Sequence, residues 1–129
     1  MFLTRGLVAV VFVATVAHAE TSFEKDIQPI LQKSCSGCHF PPVDPLKGKL
    51  DLSTLAGVNK GGSDGAIIVA GKADESRLIK ILEGKLEPMM PPKGKGDPLT
   101  PEVIATLKQW INEGAKGGAP APAPAAAPE

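Results

Sequence analysis

Five consecutive residues carry the strongest chemical signal in this chain: Cys35-Ser36-Gly37-Cys38-His39, the pattern C-x-x-C-H. Two thiols held close by a two-residue spacer can add across the two vinyl groups of a haem, and the next residue is then placed to reach the iron from one face. On this reading Cys35 and Cys38 are the covalent attachment points and the imidazole of His39 is the proximal iron ligand. Gly37 is the small, permissive residue that a tight turn between the thiols accepts. A thioredoxin-like C-x-x-C wants a βαβ context, which is missing here. A zinc site would need a fourth ligand, and once residues 1–19 are set aside no further Cys or His exists, which leaves only an acidic side chain. A plain Cys35–Cys38 disulfide is the remaining competitor.

The second axial position is constrained by counting. His18 and His39 are the only histidines, and His18 falls in a leader described below, so two imidazoles from one chain are excluded. A methionine, a lysine or an open position remains. Met89 and Met90 stand together in Glu87-Pro88-Met89-Met90-Pro91-Pro92, about fifty residues after the cysteine motif. Prolines on both sides restrict the backbone and deny it helix. A stiff loop loses little conformational freedom when it delivers a thioether to a metal. The competing role for a methionine is core filler, and one of the pair is expected to be that.

The elements that must position these groups are helices. Thr21 and Glu24 are spaced as a capping box, and Phe23, Ile27, Ile30 and Leu31 form an apolar face that predicts a helix to about Ser34. Pro29 either kinks it or starts a new helix. Residues 40–72 are punctuated by Gly and Pro; Ser53 could cap a short turn there, and Ala66 to Ala70 could be extended. A helix is predicted over 75–83, with Asp74 as N-cap and Gly84 as left-handed stop. Another starts at Thr100, takes Pro101 at its first position and ends at Gly114, with Val103, Ile104, Leu107, Trp110 and Ile111 on one stripe.

The ends of the chain read differently. Arg5, the uncharged apolar run from Gly6 to Ala17 and the small-x-small Ala17-His18-Ala19 form an export signal, residues 1–19, cleaved after Ala19. The run is shorter than the ~20 residues a membrane span needs, so no span is expected after cleavage. Residues 117–129, GGAPAPAPAAAPE, have no large apolar group to bury and favour an extended, disordered tail. Residues 20–116 are the expected domain. Lys plus Arg and Asp plus Glu both total 14, which offers no basic excess for nucleic acid. Losing Arg5 leaves a formal −1, and the remaining aromatics are Phe23, Phe40 and Trp110. So thin a core has room for a large apolar cofactor.

The stretches FEKDIQPILQKSCSGCH (23–39), KLDL (49–52), GGSDGAIIVAG (61–71), SRL (76–78), MPP (90–92) and LTPEVIATLKQWINEGA (99–115) make the sequence resemble small monohaem c-type cytochromes, and most closely the planctomycete-type cytochrome c domain. The resemblance implies an all-α, cytochrome c-like fold of three or more helices with long loops around one covalent haem c and its iron. It also implies that the methionine before the prolines, Met90, is the distal ligand, with Met89 as runner-up, and that Trp110 packs near the haem.

The expected function is an exported, periplasmic one-electron carrier, monomeric and without enzymatic activity, that docks redox partner proteins transiently at the haem edge. Lys47, Lys49, Lys85, Lys93 and Lys95 flank the loops expected there and could steer an acidic partner. The interleaved Asp44, Asp51, Glu83, Glu87 and Asp97 make a merely solvated surface the alternative. The competing function is a haem-based gas sensor or peroxidase-like protein with an open or labile sixth position, which the lack of a distal histidine disfavours. The phosphate-loop look of GAIIVAGK (65–72) fails on spacing and on Ala73.

Overall fold

The computed structural model describes residues 10–14 and 19–117. The expected leader lies mostly outside the described residues, and the expected tail lies outside them beyond Gly117. Four helices carry the chain: α1 (Gln28–His39), α2 (Leu55–Lys60), α3 (Arg77–Leu82) and α4 (Pro101–Asn112). Single turns of 3-10 helix, Lys47–Lys49 and Ala73–Glu75, interrupt the loops between them. Among the described residues there is no strand, only one bridge between Gly62 and Gly65. The fold is all-α, as the sequence predicts.

A π-helical turn, Phe23–Ile27, leads into α1. Its cap sits one residue later than expected. The Ser22 hydroxyl accepts from the Lys25 N–H (3.3 Å), and the Ser22 N–H donates to the Asp26 carboxylate (2.9 Å). The Thr21 N–H is drawn to the Glu113 carboxylate (2.8 Å) beyond the far end of α4. Pro29 then falls in the first turn of α1, where a missing N–H costs nothing. Of the two expected outcomes this is nearer the second, with the α-helix starting at Gln28, one residue before Pro29, directly after the π-turn.

The core is built where the Phe23–Ile27 turn and the first turn of α1 pack on α4. Phe23, Ile27 and Leu31 are buried against Leu107, Trp110 and Ile111. The Phe23 and Trp110 rings lie 5.7 Å apart, tilted by 41°. The chain turns left-handed at Gly114 (φ 109°) and Ala115 (φ 53°), which returns Lys116 beneath the tryptophan. The Lys116 carbonyl then accepts from both the Trp110 indole N–H (2.8 Å) and the Phe23 N–H (3.3 Å). One backbone oxygen thus joins the two ends of the domain. α4 itself follows the expected caps, with the Thr100 hydroxyl accepting from the Val103 N–H (3.4 Å).

The two short helices start later than predicted, for a common reason. Asp74, the expected cap of α3, pairs instead with Lys108 of α4 (2.7 Å). Ser76 stands at the N-cap, but its hydroxyl is fully buried and used elsewhere. It accepts from the Val69 N–H (2.9 Å) and donates to the Lys72 carbonyl (3.0 Å). Ser53, the expected cap of α2, bonds Asp51, and Thr54 caps by accepting from the Gly57 N–H (3.0 Å). In both cases a partner outside the helix took the side chain that the local pattern assigned to it. Gly84 (φ 74°) ends α3 as expected.

Candidate functional site

α1 runs five residues past Ser34, so its last turn is the cysteine motif itself. Cys35 and Cys38 are therefore three apart on a helix, and His39 is four from Cys35, which places all three toward one face. The expected tight turn around Gly37 is an ordinary helical turn, and a Cβ at Gly37 would meet nothing within 4 Å. What prolongs the helix is tertiary. The His39 carbonyl accepts from the Leu52 N–H (2.8 Å), and the His39 Nδ1 lies 3.2 Å from the Leu50 carbonyl. Only a protonated Nδ1 can donate to a carbonyl. That contact selects the tautomer whose Nε2 keeps its lone pair, the form a metal ligand needs.

Leu50 is itself held. It follows the Lys47–Lys49 turn, whose Gly48 carbonyl accepts from the Ser63 N–H (2.7 Å) and hydroxyl (3.1 Å). The approach of the two loops requires glycine. A Cβ at Gly62 would stand 2.5 Å from the Gly48 oxygen, and one at Gly61 (φ 76°) would collide with the Gly65 carbonyl.

These segments wall a cavity of about 760 Å³, within the range of small-molecule and cofactor sites. Cys35, Cys38, His39 and Met90 all line it, among the apolar side chains of Leu50, Leu52, Ile67, Leu78, Ile81 and Leu82. Both cysteines are free and half-buried. Burial, and secondarily the neighbouring Cys38, pushes the Cys35 thiol up to about 11. It therefore stays protonated near neutral pH, unlike the acidic thiols of redox-active C-x-x-C sites. Among the described residues no group of three His, Cys, Asp or Glu side chains converges to hold a metal ion directly. An apolar cavity with two thiols, one oriented imidazole and one thioether fits haem, and it fits a zinc ion or a dithiol switch poorly.

The two methionines separate. Met90 is half-buried and lines the cavity; Met89 is 51 % exposed, does not line it, and is not the core filler expected of one of the pair. Trp110 is not among the lining residues either. Its fully buried ring belongs to the Phe23 junction, because the left-handed turn after α4 supplies the partner for its indole N–H. Lys47 and Lys95 line the cavity. So do Ser63, Asp64 and Arg77, which the sequence alone did not single out. The close glycines of Gly61-Gly62-Ser63-Asp64-Gly65 were the available signal for a loop pressed against another backbone.

The model of the planctomycete cytochrome C family matches residues 35–94, from the first cysteine to just beyond Met90, and so spans both walls of the cavity. The similar-looking stretches before Cys35 and after Gly94 lie outside the match. No curated protein and no solved structure matches the chain. The sequence motif, the cavity and the family match coincide over residues 35–94, and together they support a cytochrome c-type domain of the planctomycete cytochrome C family in that span, a kind of domain that implies haem c with its iron and points to electron transfer.

Proposed function

We propose that this protein is an exported monohaem one-electron carrier, with His39 and Met90 as the axial ligands. The observation that carries the reading is the convergence of Cys35, Cys38, His39 and Met90 on one apolar cavity, with the His39 Nδ1 tied to the Leu50 carbonyl. When bound, haem supplies an iron that passes between Fe(II) and Fe(III). The protein's own contributions are positional. The Cys35 and Cys38 sulfurs hold the cofactor to the end of α1. The Leu50 carbonyl keeps the His39 ring in one tautomer and orientation. Met90 offers a soft, neutral thioether, which favours the reduced state relative to a second imidazole. The leucines and isoleucines of the wall exclude water, which acts in the same direction.

Transfer then needs no substrate pocket, only an exposed edge and a small docking patch for brief encounters. Lys47 and Lys95 at the cavity, with Lys49, Lys85 and Lys93, provide positive charge for an acidic partner. Export rests on the leader pattern of residues 1–19. Val10 to Val13 within it are 74–92 % exposed. Among the described residues no helix is long and apolar enough to cross a membrane.

The test is the visible spectrum of the haem-loaded, reduced protein with and without carbon monoxide. A spectrum that ignores the gas is the expected result for a closed His/Met iron. A shifted spectrum would move the protein to the sensor or peroxidase class.

A further inference from the structure

We infer that Arg77 is the side chain that pairs with a carboxylate of the haem, an assignment that rests on the haem reading above. The chain has two arginines, Arg5 in the leader segment and Arg77, against twelve lysines. The one arginine of the domain lines the cavity. Its backbone is held more firmly than that of the other lining cations. On one side stands Ser76, fully buried and bonded to Val69 and Lys72; on the other stands Leu78, 9 % exposed, whose N–H donates to the Ile67 carbonyl (2.9 Å). Lys47 and Lys95, by contrast, are exposed on loops.

The guanidinium is only partly engaged. One contact, 3.3 Å from Nη2 to the Asp64 carboxylate, is its ion pair, and Asp64 is 72 % exposed against 32 % for Arg77. A single long contact leaves most of the five donors of the fork free. A planar fork suits a carboxylate better than an ammonium does, because it can bind both oxygens at once. Haem brings two carboxylates into an otherwise apolar cavity, and an unpaired charge there is costly. Arg77 is the half-buried cation available to meet one of them, and Asp64 is the exposed anion it would share or release. Lys47, Lys95, Asp64 and His39 are the other charged or titratable groups lining the cavity besides the cysteines.

The experiment is the midpoint potential of the haem-loaded full chain between about pH 5 and pH 8, for the parent, Arg77→Gln, Arg77→Lys, Asp64→Asn and Lys72→Gln. A cation beside a carboxylate keeps it ionised, so the parent potential should be flat. In Arg77→Gln the potential should fall at the alkaline end, where an uncompensated anion favours Fe(III). The gap should close toward acid as that carboxylate takes up a proton. Arg77→Lys should recover most of the flatness, and Asp64→Asn should stay flat with a small rise. Lys72→Gln removes one charge from an exposed lysine that does not line the cavity and should leave the pH profile unchanged. A loaded Arg77→Gln protein that tracks the parent at every pH overturns the assignment and leaves the haem reading standing. So does one altered only in the salt dependence of electron exchange, which would put Arg77 on the docking rim. A chain that takes up no haem overturns both.

Discussion

The junction of the Phe23–Ile27 turn with α4 and the cavity wall are built from the same short chain by opposite means. At the junction every large side chain has its partner within the protein. Phe23 meets Trp110, both rings are buried, and the Lys116 carbonyl satisfies the two donors left over. At the cavity the backbone is tied down, through Leu50, Gly48 and Ser63, while the side chains line a cavity. One region packs protein on protein, and the other has the size and lining of a cofactor site. Side-chain packing and ligand chemistry are therefore assigned to different residues, although α1 contributes to both.

Substitutions in the two regions can break or sharpen that division. The largest effect is expected from Trp110→Ala. It removes the biggest buried side chain and its hydrogen bond, and large-to-small changes of this kind cost about 3–5 kcal/mol. Denaturant unfolding should show the loss while the haem spectrum of the folded protein remains indifferent to carbon monoxide. If the variant instead binds the gas, junction and cavity are not separable. Next comes Met90→Ala, which should open the sixth position so that carbon monoxide shifts the reduced spectrum; Met89→Ala, at the exposed neighbour, should not. The reverse pattern would assign the ligand to Met89.

The smallest effect is expected at Lys108, which bridges Asp74 (2.7 Å) and Glu83 (3.2 Å) and so links α4 to the α3 region. Its hydrogen bonds and charge hold Asp74 below its ordinary 3.8, and Lys85 followed by Lys108 holds Glu83 below its ordinary 4.5. A carboxylate with a depressed folded value contributes stability that is present above its unfolded value and lost as pH falls through the folded one. Lys108→Met should therefore lose a small increment of thermal stability at neutral pH and show a shallower decline on acidification. An unchanged acid limb would show that the bridge is too exposed to matter.

What could be read from the sequence divides along a related line. The cysteine motif stands out in the sequence because covalent haem attachment would dictate residue type, order and spacing together. The caps of α4 were legible because Thr100, Pro101 and Gly114 act within a turn of themselves. The cap of the Phe23–Ile27 turn, the cap of α3 and the placement of Trp110 were not, since Thr21 reaches Glu113, Asp74 reaches Lys108 and the indole reaches a carbonyl beyond a left-handed turn. The continuation of α1 to His39 belongs with these. Ser34, Ser36 and Gly37 are weak helix formers, and the bonds from Leu50 and Leu52 that support the last turn come from the next loop. Arg77 went unread because no local pattern marks a lone arginine as facing a cavity.

His39 and Met90 stand 51 positions apart in the chain yet line one cavity. Any iron that binds both closes a loop of that length, and so acts on the unfolded ensemble as a cross-link does. By the chain-entropy model a closure of this size removes about 4 kcal/mol of disorder from the unfolded state. A domain with so few aromatic side chains would thus gain its last fastening from the same bond that tunes its electron chemistry. Exchanging that ligand should alter how firmly the whole loop is held.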